Sequence, residues 1–271
     1  MMERSGEASE TNAVYVYAVC RADEEPSLGG LTGVSGDEPV RSLSIGSLTA
    51  IVQTVRAADF TDEVWQERLT DENELELYAR AHHEVVSAVA ARFPTVPLPL
   101  ATLYNGDERA GLALANESPR FRTALKRIAH HAEWGVKVYA PVAQSAARRA
   151  PEERPAEPGD RARPAPGAGR AYLERKRNLQ SQREQRQADS LRVADAVDAD
   201  VSRIAAASRR LRPHGSGAAG GQRVQVLNAT YLVAEHRAAE LALLAAGLRE
   251  RTGAEIEVSG PWVPYSFVGE V

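Results

Sequence analysis

Ser259-Gly260-Pro261-Trp262-Val263-Pro264-Tyr265-Ser266-Phe267-Val268 is the stretch around which the rest of the chain is arranged. Two prolines and a glycine predict that no regular ladder continues through it, because proline fixes φ and has no N–H to donate. Three aromatic residues nevertheless fall within six positions. A solvated tail has no use for so much apolar surface, so Trp262, Tyr265 and Phe267 are expected to dock and close a domain. The expected docking surface is the C-terminal sheet with its long helix.

The elements of that C-terminal half are readable upstream. Glu133 to Tyr139 alternates as a strand, with Trp134, Val136 and Val138 on one face. From Gly169 to Leu211 runs the longest helical pattern, in which Ser190, Ala194, Val197, Val201, Ile204, Ser208 and Leu211 recur at four and three. Such a narrow seam suits packing on the protein's own sheet or on a partner helix. A loop at Gly215 to Gly221 precedes a strand at Arg223 to Ala234 and a helix at Arg237 to Glu250, with Gly253 as a C-terminal cap. A last strand spans Glu255 to Ser259. Strand, long helix, strand, helix, strand is a small α+β layer, a ferredoxin-like derivative.

The N-terminal half reads as a second α+β domain. Asn12 to Cys20 is a β-branched and aromatic strand, and Val40 to Ile45 then Ser47 to Val55 are two short strands turning at Gly46. Asp71 caps an amphipathic helix carrying Leu75, Tyr78, Val85, Val86 and Val89, which ends before Pro94. Phe93 to Tyr104 alternates apolar residues with prolines, which confines it to an edge strand or extended connector. Helical patterns at Asp107 to Asn116 and Ser118 to His131 follow, with Pro119 in a first turn. The expected domains are residues 1–132 and 133–271. The second is interrupted at about 143–169 by a Pro/Ala/Arg-rich insertion with little to bury.

Composition and motif chemistry exclude several function classes. With 43% hydrophobic and 26% charged residues the chain matches a soluble globular protein. A formal charge of -4 gives no general attraction to nucleic acid. The basic patch Arg175, Lys176, Arg177, Arg183 and Arg186 lacks the interleaved aromatics that stack bases and reads as a solvated face. No apolar run reaches the roughly 18 to 20 residues needed to span a bilayer, and Met1 to Asn12 is unlike a signal peptide, so a cytoplasmic protein is expected. Gly29, Gly30, Gly33 and Gly36 lie in a loop without the Gly-Lys-Ser/Thr of a phosphate loop, and turns in a mobile loop are expected. His82 and His83 lie about 100° apart on a helix and cannot share one metal. Surface or hydrogen-bonded histidines are expected there. Cys20 ends an apolar strand and reads as a buried hydrophobe. No nucleophile–base or paired-carboxylate motif is present, so no catalytic, cofactor-binding or metal residue is assigned and no enzyme is expected.

The terminal stretch resembles the Gly-Pro-Trp-Pro-Pro-Tyr-Ser-Phe signature of the GvpF/GvpL family of gas-vesicle accessory proteins, with Val263 in place of its first central proline. Three further segments resemble the family in order. Glu133 to Val138 is similar to its Glu-Trp-Gly-Val-Lys-Val, and Gly169, Arg170, Tyr172, Leu173 and Lys176 to its Gly-Arg-x-Tyr-Leu-x-x-Lys. Leu227 to Val233 is similar to its Leu-Asn-x-Ala-Tyr-Leu-Val. Trp134, Tyr172, Trp262, Tyr265 and Phe267 are the structural residues of these motifs. Leu98-Pro99-Leu100 resembles the family's Leu-Pro-Leu-Arg, but Ala101 follows, so any role of that arginine is not carried over. The resemblance implies a non-enzymatic accessory protein in gas-vesicle assembly, without cofactor. It implies binding to the hydrophobic shell protein and to other accessory proteins, and a place as a minor vesicle component. From the residues alone the alternative is a generic cytoplasmic interaction scaffold. For contact with the shell protein, Leu98, Leu100 and Leu103 on the proline-broken edge Val96 to Leu103 are expected, as an edge that can accept an added strand, since the helix seam is needed inside its own domain.

Overall fold

The run Asn12–Cys20 forms strand β1, and every position after its first is buried. The computed structural model describes residues 12–21, 24–140, 168–212 and 224–269. In the first unit, β1 lies in a sheet of order β2-β3-β1-β4 with β2 (Val40–Ile45), β3 (Leu48–Arg56) and β4 (Thr95–Pro97), all neighbours antiparallel. The two-residue β5 (Leu103–Tyr104) also pairs with β1. Helices cover both faces, and this is why β1 reads as a continuous apolar run rather than an alternating one.

On one face Val14, Val16, Val19 and Val52 pack with Leu114 and Phe121 of helices that follow β5. The other face, with Tyr15, Tyr17 and Cys20, packs on Val85, Val86 and Val89. Those valines belong to α2 (Glu72–Ala90), which follows α1 (Asp62–Thr70); Asp71 caps α2 by accepting from the amides of Asn73 and Glu74. Helices α3 (Asp107–Asn116) and α4 (Ser118–Ile128) supply the opposite layer. α4 ends three residues short of the expected His131, because Ala129 is extended and His130 takes a positive φ of 60°. Cys20 is a buried free thiol, pushed up to about 11 by burial.

The glycine loop is held by one buried side chain, a correction to the mobile loop expected from its composition. Gln53 is fully buried, and its carboxamide oxygen accepts from Tyr17 Oη (2.5 Å) and the amides of Val34 and Ser35 (3.1 and 3.2 Å). Its Nε2 donates to the carbonyls of Thr32, Ser35 and Glu38. Gly33 sits against this centre with φ 68°, where a Cβ would lie 2.5 Å from both Gln53 Oε1 and Tyr17 Oη.

The second unit, Trp134–Gly260, has the order β7-β8-β6-β9. Its elements are β6 (His131–Tyr139), α5 (Ala168–Ser202), β7 (Ala207–Arg210), β8 (Gln225–Ala234), α6 (Ala238–Thr252) and β9 (Glu255–Trp262). This βαββαβ succession completes the expected ferredoxin-like layer. Val136, Val138, Ala194, Val197, Val201, Leu241 and Ile256 share one core, with Trp134 packed against it. Gly253 caps α6 in the left-handed conformation, as expected.

Two expectations fail here. The seam does not continue helically to Leu211: α5 stops at Ser202, and Ser208 lies in β7, which pairs antiparallel with β8 from Ala207↔Leu232 to Arg210↔Ala229. Residues 202–207 contain neither glycine nor proline, so no breaker marks the turn. What holds β7 is tertiary: Arg210 meets Asp195 and Asp198 of α5 at 2.8 and 2.7 Å, and Tyr231 Oη donates to Asp198. β9 runs past Ser259 and through Pro261, which an edge strand tolerates because the missing N–H can face away from the ladder. The insertion expected at 143–169 lies, up to residue 167, outside the described residues, as does the loop at Gly215 to Gly221.

Replacing Gln53 by Ala strips partners from several buried backbone groups and is expected to cost about 3 kcal/mol in urea unfolding. Gly33→Ala should also destabilise, by roughly 1 to 2 kcal/mol of backbone strain alone. Parental midpoints for both variants would show that the loop is not held by this side chain.

Candidate functional site

The proline edge of the first unit offers few donors to an added strand. Leu98 N donates to Tyr17 O across to β1. Alternation along a strand then turns the ladder positions of residues 97 and 99 outward, and both are prolines without an N–H. An added strand would meet no donors there. Beyond Pro99 the chain kinks: Ala101 adopts φ 58° and its amide donates to Tyr15 Oη (3.3 Å), while Val16 N recovers Thr102 O (2.9 Å). The kink separates the three candidate leucines. Leu98 packs on the Val14–Phe121 side of the sheet, Leu103 packs on the Tyr15–Val85 side, and Leu100 is half-buried between them.

The terminal stretch belongs to this same unit, which takes in the residues from Pro261 onward. Its anchor is Glu133, a buried carboxylate that accepts from Ser266 N (2.9 Å) and Ser266 Oγ (2.6 Å). Phe267 is 3% exposed, whereas Trp262 is 51% and Tyr265 37% exposed. The aromatic tail therefore does dock, but on the first unit rather than on the C-terminal sheet and long helix, and with one ring buried of the three expected. Trp262 and Tyr265 instead flank His83, at ring distances of 6.2 and 5.9 Å. Burial pushes the Tyr265 hydroxyl up to about 12.

Tail, edge and helices enclose a groove of about 340 Å³. Val96 and Leu98 form one wall, Leu114 and Phe121 a second, and Tyr265 and Val268 a third. Glu117 and Arg120, paired at 3.0 Å, put charge on its lining. Most of its lining is apolar, with Thr102, Tyr104 and Tyr265 adding hydroxyls. Among the described residues no group of three or more His, Cys, Asp and Glu side chains could hold a metal.

Behind the kink sits a buried polar pair. His82 Nδ1 lies 2.9 Å from Tyr15 Oη, the same hydroxyl that receives the Ala101 amide, so α2, β1 and the kink meet at one oxygen. Burial lowers His82 to about 4, an effect only partly offset by the nearby Leu98 backbone. Both members of the histidine pair are hydrogen-bonded: His82 is buried against Tyr15, and the half-buried His83 meets Ser87 Oγ at 3.2 Å.

Matches with known proteins span nearly all of the chain. The model of the family described as "Gas vesicle synthesis protein GvpL/GvpF" matches residues 13–269. The chain belongs to the GvpL/GvpF family. "Gas vesicle protein L" of Streptomyces sp. (strain CB03234) is 37% identical over 257 residues, covering 94% of this chain and 92% of that protein. The fold is also that of two solved structures at 14% identity. GvpF from Anabaena sp. PCC7120 gives a TM-score of 0.62 over 96% of this chain and 97% of its own. GvpF from Microcystis aeruginosa gives 0.60 over 95% and 99%. As a GvpL/GvpF protein this chain takes part in gas-vesicle formation.

Within this GvpL/GvpF chain the motif residues divide by unit. Trp134 supports the second core, Phe267 the first, and Tyr172 lies in α5 outside the described side chains. The groove walls Leu114, Phe121 and Val268 were not singled out as binding residues.

Phe267→Ala is expected to lower stability by about 3 kcal/mol or more, as for other buried aromatics, and Trp262→Ala by under about 1. Equal effects in urea unfolding would contradict the difference in burial. The folded state holds His82 below its ordinary 6.5, so it binds a proton less readily than the unfolded chain does. Stability from this group is complete above about pH 6.5 and falls as pH drops toward about 4, by up to about 3 kcal/mol. Unfolding midpoints across that window, flattened in His82→Phe, are the check.

Proposed function

We propose that this protein holds the hydrophobic gas-vesicle shell protein during assembly, acting in the cytoplasm beside other accessory proteins and without catalysis, nucleotide or metal. The observation that carries this reading is the open apolar groove between Leu98, Phe121 and Val268. A strongly hydrophobic subunit must be kept from aggregating until it joins a wall, and a groove this size can cover a few of its side chains without exposing a large apolar patch of its own. Because Pro97 and Pro99 remove outward donors, the contact is made by side chains rather than by strand addition. No helix among the described residues is long and apolar enough to cross a membrane.

Leu98→Asp and Val268→Asp charge two separate walls of the groove. Each is expected to abolish co-purification of the shell protein with the full-length chain while the circular dichroism spectrum stays parental. Retained co-purification by both folded variants would sink the groove as the contact. Leu100→Asp, at the half-buried kink, is expected to weaken capture less.

A further inference from the structure

Among its described side chains, helix α5 is packed at its C-terminal end. Ala194, Val197 and Val201 are buried in the second core, whereas the described side chains from Leu173 to Asp189 are all exposed. Residues 173–187 carry five Lys or Arg and two Glu in a chain whose formal charge is -4. Lys176, Arg183 and Arg186 lie three and four apart around Leu179, a single stripe with a 57% exposed leucine in its middle. This is about 20 Å of helix, at 1.5 Å per residue, whose described side chains present an exposed charged and apolar face.

A surface of opposite sign exists on the first unit. Residues 62–76, spanning α1 and the start of α2, carry seven Asp or Glu and the single Arg68. All seven acids are exposed, and Leu69 and Leu77 protrude among them at 52% and 67% exposure. Length, charge and exposed leucines of the two surfaces correspond.

We propose that the free part of α5 in one molecule docks on the acidic α1–α2 surface of a second copy of this chain. The contact is heterologous, since two different surfaces meet, so each molecule keeps one free arm and one free acidic face and association continues head to tail. An assembly factor arranged this way presents several grooves in a row. Charge pairs exposed at such a contact are screened by salt, which makes the association ionic-strength dependent.

The test uses the full-length protein in sedimentation velocity at about 50 mM and about 500 mM salt. Mass is expected to rise with protein concentration at low salt and to return to monomer at high salt. Two charge-reversed proteins separate the surfaces: one carries Lys176→Glu, Arg183→Glu and Arg186→Glu, the other Glu63→Lys, Glu67→Lys and Glu72→Lys. Each alone is expected to be monomeric at low salt, and their equimolar mixture to associate again, because the reversed arm fits the reversed face. A monomeric parent at low salt overturns the proposal, as does association that survives either reversal or a mixture that stays monomeric.

Discussion

Both faces of β1 are buried, and most of the first unit follows from having to cover them. A strand in that position cannot leave a polar group without a partner, because an unpaired buried donor or acceptor costs about as much as several hydrogen bonds gain. Tyr15 and Tyr17 therefore each carry a hydroxyl to a specific destination: Tyr17 to Gln53 and the glycine loop, Tyr15 to His82 and the kink at Ala101. Through these two hydroxyls the strand sets the path of both irregular segments of the unit. The loop that follows β1 and the proline edge beside it are shaped by the same strand.

Where local pattern decides structure, the sequence was readable. β1, the Gly46 turn, the Asp71 cap and the Gly253 cap each rest on a residue type whose backbone or side-chain chemistry acts within a few positions. β7 was not readable, because Ile204 and Ser208 keep the helical spacing of the α5 seam while Arg210, Asp195 and Asp198 supply the reason to turn. Those carboxylates are twelve and more positions away and carry no local signature. Gln53 failed in the same manner: a polar residue in a strand pattern gives no hint that six groups will converge on it.

The groove was less legible than the fold for a related reason. Its walls come from three segments far apart in the chain, and no periodicity links Leu98, Phe121 and Val268. The kink made matters harder, since a positive φ at an alanine has no cue of the kind glycine provides. Leu98 and Leu103 looked like one apolar edge and are divided between two faces of the sheet. Prolines were the informative residues: they marked the segment as an edge, and their outward positions explain why the edge is closed to strand addition.

The tail shows how aromatic content announces burial without naming a partner. Trp262, Tyr265 and Phe267 read alike in sequence, but the backbone is fixed by Ser266, whose amide and hydroxyl both reach Glu133, 133 positions earlier. With Ser266 held, Phe267 is carried into the core and Tyr265 to the groove and His83. A carboxylate as buried as Glu133 is costly without those donors, so the contact constrains both ends at once. The third wall of the groove is therefore formed by residues that return after the whole second unit has been spelled out in the chain. Contacts of such sequence separation carry a larger loop-closure cost than local ones. Strand, helices and kink can assemble around β1 beforehand, but the apolar groove becomes a complete binding surface only when the tail has closed on Glu133.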